Sequence, residues 1–367
     1  MSNIAGSTAK IGKANTSQMS AALIVQAYAS SVLQQPDVDF SGIDGLAAFQ
    51  TQINNGLAVA QGHARAYLND LQPAMIQNMG NIDNYYQLHN ALPATLPSGS
   101  SVDQWTQELQ VVLDQSSTYK AAAEKLVQDL QGFRDQLAAD SRSFATTVTN
   151  LNSTVNGDNG VLKNIESQLS SLQSKIDGAI AGVVVSSLTI AGGGFVICVG
   201  AIADFVTAGT STAAVIGGVG IVAAGVTGEA ASIALLVTAN NAKAELLSEE
   251  SHLKDEVKLA TAVSNGYTSL SNQVEGAIAA ANAMANAWAS VTSDLRVVIS
   301  DLQSGVTSTD KVRELFVTAA NGVIKTLLQD IQTVKGQMAG VTVQTAKPQQ
   351  TVSQLIAVVD KEVRKAA

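Results

Sequence analysis

Between Gly178 and Thr238 only two side chains carry charge, Asp204 and Glu229. The uncharged stretches Gly178–Ala203 and Phe205–Gly228 each exceed the roughly 20 apolar residues with which a helix crosses a hydrocarbon layer about 30 Å thick. Between them lies a polar cluster, Asp204, Thr207, Gly209, Thr210, Ser211 and Thr212, where the tip of a hairpin would sit. A buried core helix accounts for a run of a dozen apolar residues, but poorly for two spans in tandem. The residues on both sides read as long helices with polar faces, so this is not the pattern of an ordinary integral membrane protein. The sequence predicts one apolar, membrane-inserting head at 178–240, carried between two tail segments, 1–177 and 241–367, of a single helical bundle.

Helix is the structure those flanks can take. The 367-residue chain has five prolines, and none lies between Pro97 and Pro348. A proline inside a helix costs about 3 kcal/mol, so a span of this length without one is what very long helices require. Aromatic residues make up only 4% of the chain, which leaves small and aliphatic side chains to build the core. The expected fold class is all-α: an elongated bundle of long antiparallel helices, with the apolar head between the two longest.

The expected elements follow from spacing and punctuation. Ser17 to Leu33 is a first helix, ended by Gln34-Gln35-Pro36, and Ile43 to about Asn90 a second, with a kink at Pro73 because proline lacks the backbone donor. Leu92 to Ser100, with Pro93, Pro97 and Gly99, reads as a loop, and Ser101-Val102-Asp103-Gln104 as a capping box that opens the next helix. From there apolar residues recur at alternating three and four: Trp105, Leu109, Val112, Tyr119, Ala123, Leu126, Leu130, Phe133, Leu137, Phe144, Val148, Leu151 and Val155, then Leu162, Ile165, Leu169, Leu172 and Ile176. This is a coiled-coil seam of roughly 70 residues, about 105 Å of helix, with a weak point at Asn156-Gly157-Asp158-Asn159-Gly160. A matching seam returns through Leu246, Leu253, Val257, Ala260, Val263, Tyr267, Leu270, Val274, Ile278, Ala281, Trp288, Val291, Leu295, Val298 and Leu302. Arms of similar length can pair antiparallel and hold the head at one end. Thr307-Ser308-Thr309-Asp310 starts a further helix through Val312, Leu315, Phe316, Val323, Leu327, Ile331, Val334 and Met338, and an amphipathic tail follows Pro348.

The candidate membrane-inserting residues are the large apolar side chains of the head. Its first half supplies Ile180, Val183, Val184, Val185, Leu188, Ile190, Phe195, Ile197, Val199 and Ile202. Its second half supplies Val215, Ile216, Val219, Ile221, Val222, Val226, Ile233, Leu235 and Leu236. Asp204, Gly209 and Thr210 form the expected tip; carrying a charged Asp204 through the bilayer centre costs about 2.5–3.5 kcal/mol. Twelve glycines from Gly178 to Gly228 weaken a helix in water by about 1 kcal/mol each, yet small residues let helices pack closely in lipid. The β-branched runs Val183-Val184-Val185 and Leu188-Thr189-Ile190 suit either spanning helices or a short β-tongue in the soluble state. Glu229 is open to two readings: on one side a contact with a partner or a lumen, or a pH sensor through a carboxylate perturbed by burial, and on the other a place at headgroup level or a hydrogen bond within the soluble head. Neither half is amphipathic, and a helix apolar on every face makes a poor lining for a water-filled channel. Something else has to supply the polar lining.

A formal charge of −9 opposes nucleic-acid binding, which draws its affinity from Lys and Arg on phosphates, and opposes electrostatic capture by anionic lipid. Membrane attraction then rests on apolar area, roughly 25 cal/mol per Å². The single Cys198 permits no intrachain disulfide. His63, His89 and His252 fall on separate helices without metal-ligand spacing, and Gly192-Gly193-Gly194 and Gly217-Gly218-Val219-Gly220 lack the lysine of a phosphate loop. No enzyme and no cofactor are expected. Near the N-terminus, Ala27-Tyr28-Ala29 has the look of a signal-peptidase site, but the apolar run Ala21–Val25 is shorter than a signal core; a helix without signal cleavage is the expectation.

Long polar-faced helices, a proline-free middle and an apolar hairpin between the arms Trp105–Ile176 and Leu246–Leu302 resemble the cytolysin A and haemolysin BL superfamily of α-helical pore-forming toxins. The likeness is to the membrane-inserting B component of tripartite toxins, as in Aeromonas and Serratia. It covers nearly the whole chain and is architectural, with no short diagnostic motif. It implies a secreted protein, soluble before insertion, whose head opens into two membrane helices and assembles as a ring with companion components in a target-cell membrane. A type III secretion translocator also places an apolar hairpin beside coiled coils, and a single-component cytolysin or a hairpin-anchored structural protein fits parts of the pattern.

Overall fold

The computed structural model describes residues 3–33, 37–38, 40, 45–155, 195–199, 219–224, 233–238, 252–320, 331 and 341–345. In chain order these form α1 (Ile4–Leu33), α2 (Ala47–Ala66), a π-helical turn (Tyr67–Leu71), α3 (Gln72–Thr95), α4 (Val102–Val155), strands β1 (Phe195–Val199), β2 (Val219–Ala224) and β3 (Ile233–Thr238), then α5 (His252–Gln303), α6 (Thr309–Ala320) and β4 (Val341–Thr345). The all-α expectation holds for the bundle, and α4 and α5, of 54 and 52 residues, are the two longest helices and flank the head.

Local chemistry sets most of the boundaries. Ser101 Oγ accepts the Gln104 N–H at 3.2 Å while Gln104 Oε1 accepts the Ser101 N–H at 2.9 Å, so the capping box forms reciprocally. At the far end of α5 the chain turns through Gly305 at φ 71°, a left-handed conformation that glycine adopts without steric penalty. Ser308 Oγ then accepts the Lys311 N–H at 3.3 Å and starts α6.

Four boundaries differ from the sequence reading, the first being that α2 begins at Ala47 rather than Ile43. α1 begins at Ile4 rather than Ser17, because Ile4, Ile11 and Ala14 are buried and Ser7 Oγ donates to the Asp294 carboxylate. The kink expected at Pro73 appears as the π turn Tyr67–Leu71 just before it, where the ladder loosens around the missing proline N–H. The loop expected from Leu92 begins only after Thr95: Pro93 is taken into the last turn of α3, and its carbonyl accepts Arg313 Nε at 3.3 Å.

The chain divides into two compact units, Met1–Ala22 with Leu71–Gln131 and Gly276–Lys335, and Leu23–Asp70 with Gly132–Glu275 and Gly336–Ala367. The first has an aromatic centre despite the scarcity of aromatics. Trp288 on α5 meets the rings of Tyr85 and Tyr119 at 5.3 and 5.2 Å, and Phe316 on α6 meets His89 at 4.5 Å and Trp105 at 6.3 Å. Tyr86 donates to the Thr8 carbonyl at 3.3 Å, tying α3 to α1, and burial pushes the Tyr85 hydroxyl up to about 12. His89 is fully buried, and that desolvation holds its pKa down at about 4, partly opposed by the Phe316 backbone.

In the second unit α4 and α5 run antiparallel. Arg134 reaches Glu275 at 3.1 Å and Phe144 stands edge-on to Tyr267 at 6.3 Å, so α5 descends as α4 climbs. Across α4 the expected seam is buried at every position through Leu151 except the half-buried Tyr119. On α5 Val257, Ala260, Tyr267, Leu270, Val274, Ile278, Ala281, Trp288, Val291, Leu295, Val298 and Leu302 are all buried. Seam positions from Leu162 to Ile176, Leu246, the side chains of Leu253 and Val263, positions 323, 327, 334 and 338 and the tail after Pro348 lie outside the described residues. α2 closes on α4 through Gly56, and His63 Nε2 lies 2.6 Å from Asp140 Oδ2.

The close approach at Gly56 can be tested. A Cβ there would sit 2.5 Å from Phe144 Cδ2, whereas one on Gly62 of the same helix meets nothing within 4 Å. Gly56→Ala will lower stability by about 1–3 kcal/mol through overpacking. Gly62→Ala will raise it by up to about 1 kcal/mol through helix propensity. Denaturant unfolding of both variants checks the opposite signs. For His89, the unfolded state takes the proton first. The stability held by the neutral ring is therefore whole above pH 6.5 and falls as pH drops toward 4, by about 3 kcal/mol in all. Unfolding measured across that window will show a shallower pH slope for His89→Leu than for the wild type.

Candidate membrane-inserting site

The described part of the head is a sheet rather than a pair of helices. β1 is Phe-Val-Ile-Cys-Val, β2 Val-Gly-Ile-Val-Ala-Ala and β3 Ile-Ala-Leu-Leu-Val-Thr, segments rich in β-branched residues and free of charge. The three form an antiparallel meander, β1 on β2 and β2 on β3, and β4 adds to β3 in parallel to give the order β1-β2-β3-β4. The register places Ile197, Ile221, Leu236 and Val343 in one row across all four strands. The next row is Val196, Val222, Leu235 and Thr342, and Gly220 stands between Cys198 and Val237 in the row before.

This sheet brings together nine of the candidate inserting residues: Phe195, Ile197 and Val199 on β1, Val219, Ile221 and Val222 on β2, and Ile233, Leu235 and Leu236 on β3. The others, Ile180, Val183, Val184, Val185, Leu188, Ile190, Ile202, Val215, Ile216 and Val226, lie outside the described residues. So do the tip residues Asp204, Gly209 and Thr210, and Glu229. The β-tongue considered for Val183–Val185 and Leu188–Ile190 falls there too; the strands that are described lie further along the chain.

The sequence reading missed β4 entirely, assigning Val341–Thr345 to the tail. The signal was present in Val-Thr-Val-Gln-Thr, four β-branched residues of five, closed by Lys347 and Pro348. Among the described residues no helix is long and apolar enough to cross a membrane. Where the head is described, β1, β2 and β3 pair their backbones with neighbouring strands.

The family profile described as Bacillus haemolytic enterotoxin (HBL) matches residues 6–179. Among solved structures, the soluble AhlB of the tripartite α-pore-forming toxin of Aeromonas hydrophila is 40% identical, with 96% of this chain and 99% of that one covered and a TM-score of 0.74. Soluble SmhB of the corresponding Serratia marcescens toxin is 32% identical over 98% of this chain and 100% of that one, at a TM-score of 0.77. AhlB in its pore form matches at 36% identity over 92% and 99% of the two chains, with a TM-score of 0.64. The fold described above is thus nearer the soluble than the pore form of AhlB. No curated protein matches the chain.

Proposed function

The chain belongs to the family of α-helical pore-forming toxins that holds AhlB and SmhB, and from that membership we propose that it is the membrane-inserting B component of a tripartite toxin. The observation that carries this is the pair of likenesses to one relative. AhlB exists both as a soluble protein and as a pore, and this chain aligns with each over more than nine-tenths of its length. The soluble sheet of β1–β3 opens, the segment 178–240 extends as two membrane helices, and the tail segments 1–177 and 241–367 assemble with other copies as a ring.

The physical case rests on what changes when the solvent changes. In lipid an open sheet edge leaves backbone groups unpaired, whereas a helix satisfies its own, so hydrocarbon drives the head from strand to helix. The glycines that weaken these helices in water allow close packing once there. Asp204, Gly209 and Thr210 form the tip that crosses the bilayer, and Glu229 is assigned to a companion or lumen contact. Because both halves are apolar on all faces, companion components supply the polar lining of the lytic pore. The protein acts after secretion, as a soluble chain meeting a target-cell membrane, and catalyses no reaction.

Dye release from liposomes tests the assignment. Purified protein with the products of neighbouring reading frames will release dye, and the protein alone will release little. Full release by the protein alone would make it a single-component cytolysin, and no release in any combination would return the translocator and hairpin-anchored readings. Ile197→Asp or Val219→Asp puts a charge inside a span, at up to about 2.5–3.5 kcal/mol, and will cut insertion by up to about 100-fold. The thermal unfolding of the helical tail will be unchanged in these variants.

A further inference from the structure

We infer that the groove between α3 and α4 is a saccharide-binding site, built for a neutral sugar chain on the surface that the protein meets. The inference goes beyond the insertion reading and uses no residue of the head.

The groove lies within the first unit, with a volume of about 670 Å³. That is inside the range of roughly 300–1,000 Å³ typical of small-molecule sites. α3 contributes Asn84 and Gln87, α4 contributes Gln115, Thr118 and Tyr119, and the small Ala91 leaves the α3 wall open. Three carboxamides, a hydroxyl and a phenol thus converge, and no charged side chain is among the described lining residues.

Polar side chains on an exposed helix face are ordinarily just solvated, but these are tied to one another, and the ties fix which groups are left to use. Tyr119 donates its hydroxyl to Gln115 Oε1 at 3.2 Å, and the Asn84 side chain bonds the same hydroxyl from across the groove. With the phenol proton committed to Gln115, Asn84 is the donor to that oxygen. Gln115 therefore keeps both amide N–H groups, and Asn84 keeps its carbonyl oxygen. Gln87 Nε2 gives one N–H to Asp83 Oδ1 at 3.1 Å and keeps Oε1, while Thr118 Oγ1 donates to the Asp114 carbonyl at 3.1 Å and keeps its lone pairs. Oriented donors and acceptors on facing walls match a ligand whose groups both donate and accept, as sugar hydroxyls do. Tyr119 supplies the apolar part of such a site. Its half-buried ring borders the groove and is backed by Trp288 at 5.2 Å, which offers the C–H side of a pyranose a fixed aromatic surface.

Charge selects the class of sugar. Asp83 and Asp114 flank the groove, and Lys120, next to Tyr119, is engaged by Glu124 at 3.2 Å. An anionic sugar meets these carboxylates without a free cation to offset them, and a cationic ligand finds no carboxylate in the lining. A chain of formal charge −9 is not drawn to an anionic surface, and a neutral sugar is an attachment which that charge does not oppose. One open groove binds weakly, and several copies held at one surface gain by avidity.

Saturation-transfer NMR on the full-length soluble protein, without companion components, tests the site. The probes are neutral oligosaccharides ending in glucose, galactose, mannose, fucose or N-acetylglucosamine, with sialyllactose as the anionic counterpart. At least one neutral probe will bind with a Kd of about 1 mM, and sialyllactose will bind about tenfold more weakly or not at all. Asn84→Ala with Gln87→Ala removes two exposed side chains and will weaken the neutral probe about tenfold. Tyr119→Phe keeps the ring against Trp288 but releases Gln115 and Asn84 from the hydroxyl, and will weaken it as well. Gln128→Ala, exposed on α4 and not part of the groove, will bind as wild type does, and the melting curves of all the variants will match. No binding of any neutral probe, binding unchanged in both groove variants, equal loss in Gln128→Ala, or sialyllactose bound as tightly as the neutral sugars overturns the proposal. Binding is read on the protein alone, so its failure is distinct from a failure of dye release, which bears on the B-component reading.

Discussion

Every backbone amide and carbonyl between Phe195 and Thr238 needs a partner in whatever medium surrounds it, and two arrangements meet that need. Pairing between strands serves in water, where an edge can be left wet or covered by a polar strand such as β4. Pairing within a helix serves in hydrocarbon, where no edge can be left open. A segment with almost no charge and many glycines has little preference of its own between them. The medium, and the contacts at the ends of the segment, decide which is populated.

The long helices give that choice a fixed frame. α4 and α5 are antiparallel in the second unit, with Phe144 against Tyr267, and enclose the sequence of the head between them. Their seams use aliphatic and small residues at helical spacing, while Tyr85, Tyr86, Tyr119 and Trp288, and Trp105 with Phe316, make ring contacts in the first unit. Buried His89 and Tyr85 are held neutral by desolvation, so the core is apolar in effect even where it is polar in composition.

The seams were legible because burial repeats at a period that sequence displays directly; Trp105, Leu109, Leu126, Leu130, Leu137 and Leu151 all face the core as expected. The capping box at Ser101–Gln104 was legible for the same reason, since both its bonds lie within three residues. The start of α1 was not. Its first turns carry Gly6, Ser7, Thr8, Asn15 and Thr16, poor helix formers, and are held by residues remote in sequence, Asp294 and Tyr86. Pro93 likewise read as a loop residue, and a carbonyl bond to Arg313 accompanies its place in the last turn of α3.

At the head the division is sharper. The sequence alone determined that residues 178–238 carry almost no charge and lie between the sequences of two long helices, because charge and hydropathy are local properties that no partner can alter. Only the tertiary structure decided that β1, β2 and β3 pair in order and that Val341–Thr345 completes the sheet. Strand pairing is non-local: an extended segment shows that it can pair but not with what, and the choice depends on which other segment the rest of the fold brings to its edge.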